Sequence, residues 1–507
     1  MSKKRDIAVV IASALLITGL FYKQPLGLNL LIAEILLFSW MLISKQIHFK
    51  GFYPISLSIG LLTTSLCTVL THSAFSYIIN FLTLFIWVGL LIYPNAKSLV
   101  STIKLSFANI FDSQILFLQK VVDSKHNGRK FRSLLSKFNI FILPLLIIFL
   151  FIIIYKNSNP FFDKLISGIT LFFQNKWSLL FENFNFSIIA TFAIGLIVSI
   201  FLFCRKSNQK IIEADENANE ELKRTRKIGI KKFRATALLN EYKSGVFLLV
   251  VLNLIILVLN VFDIKWVWFG FEWEGQYLKQ FVHEGTYLLI LSIVISVVLV
   301  LYYFRGNLNF YKKNRLLKYL SFIWIAQNGI LTISVAIRNF WYIHYFALAY
   351  KRIGVIIFLI LTLYGLYTVY RKVESGKSTF YLLKINVFVI LTVLTFSSLI
   401  NWDTFIAKYN FKESNKSFLH LDYMVTLSDK SLPYLDKPLT ELKQIDIVQK
   451  EKFPFEQKYM TPEEYHRIIE RRKNLFIAQW EAKGFLSWNL PESMAYKKLC
   501  SDKCNNR

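Results

Sequence analysis

An acidic side chain inside a long apolar run is the first place to look for chemistry. Glu34 stands near the middle of LGLNLLIAEILLFSWMLI. A carboxylate in lipid costs roughly 3 kcal/mol unless it is paired or hydrated. Glu34 therefore reads as a proton or cation site, as the counter-ion of a buried base, or as a hydrogen-bonding group that fixes helix packing. Gln327 and Asn328 also fall mid-run, as do Asn253 and Asn386. Such amides bond neighbouring helices in an apolar setting. Lys384 lies one turn inside the last apolar run, where its ammonium can reach back to the surface. Glu34, Gln327, Asn328 and Lys384 make up a candidate intramembrane polar site. A second set lies between or just beyond apolar runs: His283, Glu284, Arg338, His344, Arg352 and Asp403. These form a candidate polar collar at the mouth of a helix bundle. His283 and Glu284 are adjacent, not spaced as a His-Glu-x-x-His zinc motif requires. The sequence has no Walker loop, no dinucleotide-binding glycine set and no serine elbow. No catalytic residue, metal site or cofactor is assigned.

The elements that must position these groups are apolar helices. Of the 507 residues, 54% are hydrophobic, 18% are charged and 47 are Phe. Soluble domains carry about 25% charge, so the balance points to lipid. The net charge of +28 does not mean nucleic acid. Residues 401–507 hold 18 Lys/Arg against 15 Asp/Glu, and the first 400 hold 42 against 17. The excess sits in the short connections of the apolar part, as the positive-inside rule requires, and it favours contact with anionic lipid on the cytoplasmic face.

A bilayer core needs about 20 mostly apolar residues per helix. Eleven stretches qualify as candidate spans: 7–22, 26–43, 52–70, 74–93, 139–155, 184–204, 245–262, 285–304, 319–337, 353–370 and 380–400. The start, MSKKRDIAVVIASALLITGLFY, has no small-residue cleavage pattern after it and reads as an uncleaved first helix. With the N-terminus in the cytoplasm, cytoplasmic segments carry 32 Lys/Arg and outer segments before residue 401 carry 9. That alternation predicts an inner-membrane protein with its C-terminal region outside. The reading is an all-α integral membrane protein: residues 1–204 with six spans, a charged cytoplasmic connector 205–243, residues 244–400 with five spans, and an extramembrane tail 401–507. Segment 95–138 has apolar residues at helical spacing, either lying flat on the membrane or packed beneath the bundle. Segment 263–284 is rich in Trp and Phe and reads as an interfacial aromatic belt.

The tail is not low-complexity. Thr461-Pro462 followed by Glu463 and Glu464 is a helix start, and Lys483-Gly484 a helix stop. Tyr465, Ile469, Leu475 and Trp480 are the expected packed face. The expected tail is a folded cap, with Arg338, Lys351 or Arg352 pairing with Asp403, Asp422 or Asp429. Cys67 and Cys204 lie in spans, while Cys500 and Cys504 would close too short a loop to stabilise much.

The stretch LLNEYKSGVFLLVVLNLIILVLNVFDIKWVW, then YLKQFVHEGTYLLILSIVIS and RNFWYIHYFALAYKRIGV, resembles the bacterial membrane-protein families DUF4153 and DUF4173. Their pattern of Arg, Tyr, Gly-Leu-Thr and a second Arg is matched by Arg338, Tyr342 and Arg352, with Ala347-Leu348-Ala349 in place of Gly-Leu-Thr. INWDTFIAKYNF and LDYMVTLSDKSLPYLDK are similar to the families' Asn-x-Asp…Ala-x-Tyr-Asn and Leu-Asp-Tyr-x-x-x-Leu-Ser segments. The resemblance covers roughly residues 235–435. It implies a polytopic bacterial membrane protein and no established activity. Three functions remain open from the sequence. The first is binding or moving a small ligand, lipid or ion through a polar site in the bundle. The second is recruiting a protein partner through the tail and cytoplasmic segments, and the third is enzymatic work on lipid or envelope precursors.

Overall fold

A computed structural model describes residues 3–123, short pieces between 148 and 171, and residues 186–224, 235–269, 275–454 and 460–505. The side chains of residues 275–285 and 502–505 are not among those described. The described residues are helical apart from turns and one isolated bridge, Glu221 to Lys377. Ten of the eleven expected spans fall on a described helix, and the fifth, 139–155, lies mostly outside the described residues. Among the described residues, seven helices are long and apolar enough to cross a membrane. Two shorter apolar helices, Leu28–Ile43 and Ser187–Phe203, accompany them.

The chain forms two compact units. The first comprises residues 1–56, 84–96 and 101–212. Its helices are α1 (Lys3–Phe21), α2 (Leu28–Ile43), the second half of α4 (Ala74–Ile92), most of α5 (Leu99–Asp123), α6 (Phe186–Phe203) and the first half of α7 (Gln209–Glu216). α1 packs along α6, where Gly195 brings the backbone close to the Ala14 carbonyl. α5 is tied to its neighbours on three sides. Ser106 donates to the Phe85 carbonyl (2.5 Å), Asn109 to the Phe201 carbonyl (3.0 Å), and Lys120 to Asp6 (2.6 Å). Thr102, Ser106, Asn109 and Ser113 are buried at spacings of three and four, so a small, polar stripe faces the other helices. Of the two readings of segment 95–138, its described part follows the packed one. At Gly89 a β-carbon would overlap the Thr102 carbonyl, so only glycine lets α4 and α5 approach this closely.

The second unit holds residues 57–83, 97–100 and 213–507. Its apolar helices are most of α3 (Phe52–Thr71), the first half of α4, α8 (Ala235–Asp263), α9 (Gly275–Tyr303), α10 (Arg315–Phe346), α11 (Tyr350–Ser375) and α12 (Thr379–Ser398). α8 runs on through a π-helical turn, Ile264–Phe269. The described parts of segment 263–284, expected to be an interfacial aromatic belt, continue the helices, with Trp266 and Phe269 exposed.

Residues 402–505 add α13 (Trp402–Lys412), α14 (Leu421–Met424), α15 (Leu432–Leu435), α16 (Leu439–Lys452), α17 (Pro462–Glu481) and α18 (Leu490–Asn505). Their core includes Ile406, Met424, Leu432, Leu442, Tyr465, Ile469 and Phe476, and it is continuous with Leu348 and Ile353 at the α10–α11 turn. α17 starts as expected, with the Glu464 amide donating to the Thr461 hydroxyl (3.2 Å). Its packed face differs by one residue from the expected one. Leu475 is 52% exposed and Phe476 is buried in its place, because the stripe runs 465, 469, 472, 476.

Candidate functional site

In the second unit, Lys384 does not meet Gln327 and Asn328. Glu34 is buried in the first unit. Lys384 pairs with Glu220 of the connector at 2.6 Å, half-exposed. Gln327 and Asn328 lie on α10, in its contact with α8. There the Gln327 amide donates to the Asn253 side-chain oxygen (2.7 Å), Asn253 to the Leu320 carbonyl (3.1 Å), and Asn260 to the Gln327 carbonyl (3.1 Å). Asn328 donates to the Trp324 carbonyl one turn back (2.7 Å). Residue numbers rise together on the two helices, so they are parallel. The contacts recur at seven-residue steps: 253, 260 and 267 on one side, 320, 327, 334 and 341 on the other. Such steps keep one seam of each helix facing the other. The ladder continues as Arg338 to Asp263 (2.5 Å), the Trp268 indole to Ser334 (2.9 Å) and the Trp341 indole to the Val267 carbonyl (3.1 Å).

The collar also separates. The side chains of His283 and Glu284 lie outside the described residues. Arg338 pairs within the ladder and not with Asp403, Asp422 or Asp429. Arg352 turns back on the C-terminus of its neighbour α10, donating to the carbonyls of Phe346 and Ala347, and its guanidinium lies 4.2 Å from the Tyr342 ring centre. These carbonyls lack partners within a helix end. Ala347 has φ +62° and ψ −170°, a region essentially restricted to glycine. Its place in the sequence is where the resembling pattern has Gly.

Asp403 is buried beside Lys430 at 3.1 Å and accepts from Ser428 (2.7 Å). Lys430 is almost wholly buried and also donates to the carbonyls of Thr71 (2.8 Å) and His72 (3.0 Å), at the end of α3. Burial alone would raise the Asp403 carboxyl, but Lys430 and hydrogen bonds from Ser428 and Tyr350 hold it below the usual carboxylate value. Burial pulls the Lys430 ammonium below its usual value, against the attraction of Asp403. Next to it, His72 is bonded through Nδ1 to the Tyr77 hydroxyl (2.7 Å), and its Nε2 lies 3.4 Å from Glu492. Glu492 also accepts from Lys483 and Asn489. Despite burial, these donors lower its carboxyl to about 2. Arg472 completes the cap by bonding the carbonyls of Val425 (2.5 Å) and Leu427 (2.7 Å) and the Asp429 carboxylate (2.5 Å).

Three of the quoted sequence segments, RNFWYIHYFALAYKRIGV, INWDTFIAKYNF and LDYMVTLSDKSLPYLDK, thus converge on one junction. Asn410 both donates to and accepts from the Leu348 backbone (2.9 and 2.7 Å), and the Tyr350 amide donates to the Tyr423 hydroxyl (3.2 Å). Sequence reasoning found Asp403 and Arg352 but not Lys430, Ser428, His72, Tyr77, Glu492 or Asp263. Only Asp263 carried a signal, since it stands three residues, about one helical turn, beyond Asn260. The arrangement is that of a clamp: its acids and bases are occupied by one another, and no group of three or more His, Cys, Asp or Glu among the described residues could hold a metal.

Apolar helices of spanning length, polar ladders between them and a folded helical region at one end define a membrane-embedded helical protein. The chain belongs to the DUF4153 family, a domain of unknown function, whose model matches residues 58–437. The match reaches well into the N-terminal half, beyond the region over which the sequence segments are similar. No curated relative and no solved structure matches the chain.

Proposed function

We propose that the chain is an inner-membrane protein of eleven spans, N-terminus in the cytoplasm, whose C-terminal helices form an outer platform for a protein partner. The 32-to-9 distribution of Lys/Arg supports the orientation. The observation that carries the function is the junction. Residues 402–505 share a core with the α10–α11 turn, and the Lys430 ammonium is buried against the end of α3. A partner bound there is held rigidly to the spans. The platform has apolar groups to bind with: Ile447, Leu475, Phe485 and Met494 are exposed on its helices and connections.

Binding or moving a small ligand, lipid or ion through the bundle core is the weaker reading. Its candidate residues occupy three environments, and the amides of the α8–α10 seam bond across it. The enzymatic reading lacks an open acid–base pair among the described residues.

Site-specific photo-crosslinking in cells from positions 447, 475 and 485 tests the platform, with buried position 469 as control. A discrete protein adduct from the exposed positions is expected. Lipid adducts alone, or none, would overturn the reading.

A further inference from the structure

The start of the apolar run of α9, at Thr286, lies beside the C-terminal end of α10 and the N-terminal end of α11. Thr286, Tyr287, Asn339, Tyr342, Lys351 and Arg352 line an open depression there, enclosing about 470 Å³ including solvent-accessible space. Among the described residues that line it, Lys351 and Arg352 are the charged ones, with no carboxylate. Arg352 is 8% exposed and makes no ion pair with a described carboxylate; its contacts are the Phe346 and Ala347 carbonyls and the Tyr342 ring. A buried cation without a counter-charge is costly. Lys351, beside it and exposed, has no carboxylate within ion-pair distance among the described residues. Thr286 is 6% exposed, and its hydroxyl has no hydrogen-bond partner among the described residues. The 26-residue helix α11 starts here, with Ala349 at its N-cap and hence no side-chain cap, so its positive end also faces the depression.

We infer that this depression binds a phosphate-type anion. A guanidinium supplies forked donors, an ammonium a mobile charge, and the hydroxyl and helix end further donors, which matches an anion with several acceptor oxygens. The level of the site, at the edge of three apolar runs, is where lipid phosphates lie. A lipid headgroup and a free phosphate share this chemistry. The inference stands whether or not the C-terminal helices hold a partner.

The test uses the full-length protein in a zwitterionic detergent, with short-chain phosphatidylglycerol, phosphatidylcholine or inorganic phosphate as probe. Retained lipid is read by native mass spectrometry, and protection by phosphate is read as a shift in melting temperature. Thr286→Val and Lys351→Gln remove donors while leaving Arg352 on its carbonyls, and Lys351→Arg keeps the charge. Wild type should retain phosphatidylglycerol over phosphatidylcholine. Lys351→Gln should weaken retention about fivefold, the worth of one well-placed cation, Thr286→Val should weaken it by a similar factor, and Lys351→Arg should restore it. If phosphate protects and is sensitive to the same variants while lipid is not retained, the site takes a soluble anion. Equal retention of both lipids without phosphate protection, or binding indifferent to the variants, would overturn the inference.

Discussion

Replacing Lys430 with Met is the sharpest test of the clamp. The ammonium is almost wholly buried, lies 3.1 Å from Asp403, and donates to the Thr71 and His72 carbonyls. Met keeps most of the apolar stem's volume, so packing is little changed. What is lost is the partner of a buried carboxylate, a change that costs about 3–5 kcal/mol. Ser428 still donates to Asp403, which places the expectation at the lower end, about 3 kcal/mol. If the cap opens and recloses faster than a protease cuts, cleavage follows the open population. An increase of roughly 150-fold in cleavage within residues 402–505 is then expected for the purified protein. The double variant Asp403→Asn, Lys430→Met leaves no unpaired charge and should recover more than half of that loss. Unchanged cleavage in Lys430→Met, or additive losses in the double variant, would refute the argument that this buried pair holds the cap.

Four further outcomes are expected. Glu492 has its carboxyl lowered to about 2 from an ordinary 4.5, so its contribution is present above about pH 4.5 and is lost as the pH falls from there towards 2. The full shift corresponds to about 3 kcal/mol, and an acid-titration of cap release should become shallower in Glu492→Gln. Ala347→Gly removes a strained left-handed conformation and should raise stability by about 1 kcal/mol, read as a higher melting temperature; a lower one would mean that Ala347 is not strained. Gly89→Ala places a methyl on the Thr102 carbonyl and should lower the melting temperature of the whole chain, by an amount equivalent to at least about 1–3 kcal/mol. Reporter fusions after Tyr93 and Cys204 should read cytoplasmic, and one after Ile400 outer; a cytoplasmic signal at Ile400 would reverse the proposed side of the C-terminal helices.

Helices were legible because apolar runs of 16 to 21 residues are set by local composition. Ten of the expected stretches fall on helices, and Thr461-Pro462 marks the start of α17 by its own hydrogen-bonding chemistry. Pairings were not legible, because each depends on residues brought together by the fold. Asp403 stood out as a carboxylate just past an apolar run, yet its partner is 27 residues further on. Arg338 reads from the sequence as part of a polar collar, but its partner Asp263 lies 75 residues away, at the start of the segment that reads as an aromatic belt. The Leu475-for-Phe476 slip on α17 has a simpler cause: spacings of three and four are both helical, and only packing chooses between them. Lys384 was placed correctly near a surface, but nothing in its own segment pointed to Glu220.

The charged rung of the α8–α10 ladder bears on how the protein is made. α8 emerges from the ribosome with Asp263 near its end, and Arg338 follows only after α9 and most of α10 have been synthesised. Each charge alone would enter lipid at a cost of up to about 3 kcal/mol, and the two cancel only when both helices are side by side. The first helix is therefore poorly suited to leaving the insertion machinery alone. α8, α9 and α10 should be released as a group, with the Asp263–Arg338 bond as the event that completes them.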